Sequence, residues 1–337
     1  MHEVKRTRRS ALSSSDPVSS TRHRSGEVAR PQTHVPVLLH EVLACLDLQP
    51  DDVVVDATLG GAGHAKEIAK MLGEHGVLIG FDADPAAIER AHNALGAVAL
   101  ARSDEKSGAG CKTYLEQENF RSLQVVLEKY GFDHITKALF DLGWSSYQLE
   151  NGKGFSFRAH DPLLMTYGDL KPDTLTASIV VNSWREESIA DILYGWGEER
   201  YARRIARAIV EARSKKKIEF SDELGEIIAS AVPAPYRHGA IHPATKTFQA
   251  LRIAVNDELG VLKTGLTAAW RALSPGGVLA VITFHSIEDR EVKTLMREWK
   301  QAGEGELLSK KPIPTSDEER RTNPRSRSAK LRAIRKI

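Results

Sequence analysis

The chain has 337 residues, of which 41% are hydrophobic and 27% charged, an ordinary composition for a globular enzyme with a core of normal size. A net charge of +2 excludes a polycation, so any nucleic-acid surface has to come from local clustering of Lys and Arg. Two distant cysteines, Cys45 and Cys111, exclude a disulfide framework and a zinc site, and no apolar run approaches the ~20 residues that span a bilayer. With no apolar segment behind the basic N-terminus, the expectation is a reduced, cytoplasmic, soluble protein with neither a metal nor a membrane partner.

Residues 1–33 are rich in Ser, Arg and Thr and lack periodicity. They read as a disordered basic tail, either a solvated leader or a loose RNA tether. Order begins near residue 34, and from there short apolar runs alternate with amphipathic ones, which predicts a parallel α/β sheet. Residues 53–56 read as the first strand, residues 64–72 as a helix and residues 77–82 as the second strand. Pro85 suits the first position of the next helix. Residues 101–113 look like a polar loop, a third strand falls near Tyr114 and Leu115, and a fourth ends at Asp141. The strand rhythm then stops: residues 151–250 read as a helical insertion between a first part (34–150) and a second part (251–337) of one sheet domain. A helix near 257–272, a turn at 274–277, a strand at 278–284 and a helix over 286–300 follow. Residues 328–335 alternate as a half-buried edge strand with a basic face, which would discourage edge pairing or hold RNA.

The strongest local signal is the run from Asp56 to His64, Asp-Ala-Thr-Leu-Gly-Gly-Ala-Gly-His. It follows a strand and opens a helix. Glycines there permit positive φ and a close approach of backbone to ligand, and the helix N-terminus offers unpaired N–H groups. Asp82, closing the second strand, is placed to accept the hydroxyl hydrogens of an adenosine ribose. The rival reading, dinucleotide binding by an NAD-linked oxidoreductase, needs a third glycine where Lys66 stands; a plain tight turn with helix-capping acids is the other alternative.

Longer motifs add a resemblance. The runs at 34–41, 141–149, 154–158, 197–209, 242–253, 284–290 and 323–328 resemble, in order, the signatures of the bacterial 16S rRNA cytosine-N4 methyltransferases of the MraW type. The resemblance covers residues 34 to 335. It implies a class I S-adenosylmethionine-dependent methyltransferase fold, Rossmann-like with a mostly parallel sheet and an inserted helical domain. It also implies N4-methylation of a cytidine at the decoding centre of small-subunit (16S) rRNA, with S-adenosyl-L-methionine as cofactor. By motif position Ala62, Gly63, His64, Asp82, Phe120, Asp141 and Gln148 would contact that cofactor. The chain departs from the family at Ala62, where some members have Gly, at Leu164 and Thr166, where Asp and Arg are usual, and at Tyr147, which replaces a proline. A catalytically impaired RNA-binding homologue is therefore an alternative, and a homodimer stays open.

The cytosine amino group is a poor nucleophile, so an acceptor has to hold its hydrogens as the nitrogen pyramidalises. Asp141 and the carbonyls of Leu142 and Gly143 are the first candidates. Trp144 either stacks on an extruded base or packs its own loop. His285, just past the fifth strand, either accepts the released proton or caps the next helix. His242 fixes a turn, touches RNA or serves as a base. Arg200, Arg203, Arg204 and Arg207 recur at helical spacing as one basic stripe, with Tyr201, Ile205 and Ala208 as a separate apolar stripe. That stripe either contacts RNA phosphates or is a solvated helix face.

Overall fold

The computed structural model describes residues 35–103, 110–143 and 152–337; the basic tail 1–33 lies outside them, as do Trp144, Tyr147 and Gln148. The chain begins with α1 (Leu39–Leu46) and then alternates: β1 (Val53–Asp56), α2 (Gly63–Met71), β2 (Val77–Phe81), α3 (Pro85–Ser103), β3 (Lys112–Glu116), α4 (Leu123–Tyr130) and β4 (Ile135–Asp141). Helix α3 starts at Pro85, whose missing N–H costs nothing in a first turn, and it runs on into the expected polar loop.

A helical stretch follows: α5 (Ala177–Ser183), α6 (Glu186–Gly195), α7 (Ala202–Arg213), α8 (Ser221–Ala231), α9 (Ala234–Arg237) and α10 (Ala244–Asn256). Its last helix continues past residue 250. Asp257, with φ of 48°, turns the chain into α11 (Glu258–Ala272), which returns to the sheet. Then come β5 (Leu273–Thr283), α12 (Ser286–Gln301), β6 (Gly305–Leu307), β7 (Ile313–Pro314), α13 (Asp317–Thr322) and β8 (Lys330–Lys336).

The strands form one eight-stranded sheet in the order β3-β2-β1-β4-β5-β8-β6, with β7 also on β8. Strands β1 to β5 are parallel, and β8 is antiparallel to β5. Both faces are covered. Val54, Leu78 and Leu139 pack toward α1, α2 and α3, while Val55, Ile79 and Phe140 pack toward α4, α11 and α12. This explains why β2 is buried at every position and reads as a continuous apolar run instead of an alternating one. The helical stretch has a separate core around Val180, Ile189, Leu193, Ile205, Ile209 and Ile228. Among the described residues no helix is long and apolar enough to cross a membrane.

One expectation is corrected here. Strand β8 is not an edge, because β5 pairs on one side and β6 and β7 on the other. Its basic face can sit inside the sheet because the charge is met: Arg332 forms a two-pronged pair with Asp289 at 2.7 and 3.1 Å. Ile334 is fully buried against the far side of the core.

Candidate functional site

Strand order reverses where β1 lies between β2 and β4, and open parallel sheets bind ligands outside the carboxyl ends of strands at such a point. The cleft of the molecule lies there. After Asp56 the chain is pinned to both neighbours: Ala57 N–H donates to Leu139 O and Leu59 N–H to Phe81 O, each at 2.9 Å. The next turn needs two left-handed residues, Gly60 at φ 50° and Ala62 at φ 58°. Glycine adopts that conformation freely; Ala62 strains there at a cost of roughly 1 kcal/mol. Gly63 opens α2 with Pro36 so near that an added Cβ would stand 3.1 Å from its ring.

Asp82 is the anchor of this turn. One carboxylate oxygen accepts Gly60 N–H at 2.8 Å and the other Asp84 N–H at 2.9 Å. Burial pushes its pKa up, and those two N–H groups pull it back. Each oxygen keeps a further lone pair, and the residue lines the cleft, so a ribose diol fits it. Phe120 opens a short 3-10 helix, Phe120–Ser122, and its ring meets Phe140 edge-on at 5.3 Å. With Phe81, Val261 and Leu262 it contributes apolar surface to the cleft wall, suited to a purine face.

His64 is buried in the first turn of α2. Its Nε2 lies 3.0 Å from Val37 O, and a carbonyl can only accept, so Nε2 carries the proton. Nδ1 then faces Asp141 Oδ2 at 3.5 Å with a lone pair. Burial keeps the imidazole pKa low. Burial also pushes Asp141 up to about 7, opposed by Gly143 N–H and reinforced by the charge of Glu288. The contact therefore stands between a neutral ring and a carboxyl that holds its proton near neutrality. Asp56 behind them is pushed up to about 6, chiefly by burial, and its Oδ2 has no partner among the described residues.

The opposite wall was missed by sequence reasoning. Tyr167, Asn256, Glu258 and Glu288 reach the cleft. Tyr167 O–H donates to Glu258 at 2.7 Å, and burial holds that phenol well above its usual pKa. Arg252 grips Glu258 through Nε at 2.6 Å and Nη2 at 2.8 Å. Asn256 accepts Tyr167 N–H at 3.0 Å and donates to Met165 O at 2.8 Å. Arg252, the penultimate residue of the 242–253 run, is nearly fully buried, and a buried guanidinium demands acidic partners nearby, but that burial shows only in the fold. Ligand atoms of Glu258, His285 and Glu288 lie within 4.8 Å of one another, and the cation that serves them is Arg252, 3.4 Å from His285 and 3.9 Å from Glu288.

Other expected residues fall elsewhere. His285 caps α12: Nδ1 accepts Glu288 N–H at 3.3 Å, and Nε2 meets Glu288 Oε1 at 2.8 Å. Both ring nitrogens are thus engaged in the geometry of the capping alternative. His242 accepts Ala244 N–H at 3.2 Å and stacks on Phe157, so it fixes the entry to α10. The basic stripe is shorter than its spacing suggests. Helix α7 begins at Ala202, so Arg200 precedes it and lies over the rings of Tyr201 and Tyr236. Arg203, Arg204 and Arg207 share the exposed face of α7, with Arg207 3.6 Å from Glu186. The buried face is Ala202, Ile205, Ala206 and Ile209, since Tyr201 lies at the cap and Ala208 is only half-buried. Of the departures at Leu164 and Thr166, Thr166 is buried with a hydroxyl that has no partner among the described residues. Trp144 and Gln148 lie outside the described residues.

A parallel sheet reversed at β1, a left-handed turn into α2 and an acid closing β2 define a Rossmann-like S-adenosylmethionine-dependent methyltransferase of class I, here with helices inserted after β4. The chain belongs to the MraW methylase family, which matches residues 31–337. It is 42% identical over 320 residues to the ribosomal RNA small subunit methyltransferase H of Symbiobacterium thermophilum, covering 90% of this chain and 96% of that one. It is 45% identical over 307 residues to the protein of the same name from Deinococcus deserti, covering 90% and 93%. Among solved structures it resembles a methyltransferase homolog protein from Pyrococcus horikoshii, with 14% identity, a TM-score of 0.42, and coverage of 94% of this chain and 74% of that one. Membership in a methylase family removes the NAD-linked reading.

Proposed function

We propose that the chain methylates N4 of a cytidine in 16S rRNA of the small ribosomal subunit, at the decoding centre. The names of relatives at 42% and 45% identity support small-subunit rRNA as the substrate. The observation that carries the reading is one cleft in which the nucleoside-binding corner, Gly60 and Asp82, opens onto Asp141, Tyr167, Glu258 and Glu288. That gives a sulfonium donor on one side and hydrogen-bonding groups for a polar base on the other.

S-adenosylmethionine, when bound, supplies the electrophilic methyl group and its own leaving group. Everything else falls to the chain. Asp82 and the amides of Gly61, Gly63 and His64 hold the nucleoside and the methionine end, and Phe120 packs the purine. Gln148, and Trp144 against the base, are assigned from their motif positions. Asp141 accepts an amino hydrogen of cytosine, raising electron density on N4. With a pKa near 7 it is a base at and above neutrality and can hold the released proton just below it. His64 is a positioning residue: the Val37 carbonyl fixes its tautomer and so the side it turns to Asp141. Arg200, Arg203, Arg204 and Arg207 supply phosphate contacts that give affinity without reading sequence.

The test is nucleoside analysis of 16S rRNA lacking the mark, before and after incubation with protein and cofactor. N4-methylcytidine is expected. A methyl on C5 or on a ribose would refute the nitrogen assignment and keep the methyltransferase class. Unmodified RNA with tight cofactor binding would favour the impaired homologue.

A further inference from the structure

Phe284 is a wall of two cavities. On one side lies the cofactor cleft, whose lining carries Asp82, Glu118, Asp141, Glu258 and Glu288. On the other lies a second cavity of opposite character. The first turn of α12, Arg320, Arg327, Ser328 and Lys330 close around it, and no carboxylate is among its lining residues.

The three cations differ in what they already do. Arg320 is fixed, with Nε on Thr315 Oγ1 at 3.1 Å, Nη2 on Thr315 O at 2.7 Å and Nη1 on Asp317 at 3.1 Å. Lys330 is 3.6 Å from Asp289, a carboxylate that Arg332 also binds. Arg327 is exposed and has no ion-pair or hydrogen-bond partner among the described residues. Thus the cavity keeps unneutralised positive charge, one member of it pre-positioned, beside the start of the 16-residue helix α12.

We propose that this cavity holds a phosphodiester of the RNA next to the target nucleotide, gripped by Arg327, Lys330 and Arg320, while the base passes Phe284 into the cofactor cleft. The proposal rests on the rRNA reading above and adds a subsite to it. The physical logic is that extruding a base costs stacking energy, and anchoring the adjacent backbone offsets it. Guanidinium groups suit this because they bind phosphate through paired N–H donors. The division of charge also keeps phosphate away from the acids that surround the reacting nitrogen.

The experiment measures binding of the full chain to an unmodified 16S rRNA transcript across a salt series, with methylation and cofactor affinity in parallel. Arg327→Ala should weaken RNA binding about tenfold and lower the slope against log salt by ~0.7, with cofactor affinity unchanged. Arg321→Ala is the control, an exposed arginine on α13 outside both cavities, expected to change RNA affinity by less than about twofold. Equal losses in the two variants would reduce the effect to diffuse attraction and overturn the subsite, as would an unchanged Arg327→Ala or a wild type that ignores the transcript. A wild type that binds with the Arg327 signature but leaves the RNA unmethylated keeps the subsite and refutes the reaction. Methylation with unchanged Arg327→Ala affinity does the reverse.

Discussion

Glu199 and Asp56 are both acids sealed from solvent, at 0% and 1% exposure, one in the helical stretch and one under the cofactor cleft. Glu199 is fully provided for: Tyr201 N–H at 2.8 Å and Tyr236 O–H at 2.6 Å reach its two oxygens. Asp56 has Thr58 N–H on one oxygen and nothing described on the other, and burial pushes it up to about 6. In the helical stretch the buried acid closes the fold around an apolar core, although the hydroxyls of Thr166 and Thr247 have no partner among the described residues. The sheet's carboxyl edge leaves acids underserved, and such groups cluster where a ligand or a proton is to be handled. Stability and chemistry should therefore separate between the two regions.

The largest expected effect tests the helical half. Leu193, fully buried on α6, replaced by Ala should lower stability by roughly 2–5 kcal/mol. Chemical denaturation would read this, with cofactor affinity in the folded fraction unchanged by calorimetry. A parallel loss of affinity would mean the two regions do not divide their work this way. Asp141→Asn tests the other half: kcat should fall by ~10²–10³ with a much smaller change in cofactor affinity. If affinity carries the loss instead, Asp141 serves the cofactor and the acceptor has to be sought on the opposite wall, at Glu258 or Glu288. Next in size, Asp82→Ala should weaken cofactor binding by ~1–3 kcal/mol, since charged hydrogen bonds to ribose disappear; unchanged affinity would remove its ribose role.

The same division explains what could be read from the sequence. Short apolar runs marked β1, β2 and β4, and the residues of the glycine turn and Asp82 stand together in the cleft because local order alone brings them there. The helical stretch was legible as helices, since α7 shows its apolar stripe plainly, but its ends were not: Arg200 has helical spacing with Arg203, yet Glu198 at φ 49° and the Tyr201 cap delay the helix. Long-range partners were invisible. Nothing local shows that Arg252 meets Glu258 and approaches Glu288, or that Arg332 meets Asp289 and so lets β8 lie inside the sheet. His285 had both a capping and a proton-accepting alternative, and only the contact with Glu288 shows that it caps α12.

The smallest effect is also the most specific to the cleft. Asp141 holds its proton up to about pH 7 in the folded chain, whereas an unfolded aspartate releases it near ~3.9. Between those values the native state carries a proton that the unfolded state has lost, so this group's contribution to stability falls as pH rises through the window. The amide of the Asp141→Asn variant does not titrate there. The stability difference, wild type minus Asp141→Asn, should therefore decline from about pH 4 to about pH 7 and level off above. His64, whose pKa burial lowers, works in the opposite sense: below ~6.5 the unfolded imidazole binds a proton that the folded one refuses, so its contribution is lost as pH falls. That term is common to both proteins and cancels in the difference, apart from its 3.5 Å coupling to Asp141. Denaturant titrations at pH 5 and pH 8 suffice. A difference that does not change between them would mean that Asp141 is ionised throughout, and that the Asp141–His64 contact is an ion pair and not a shared proton.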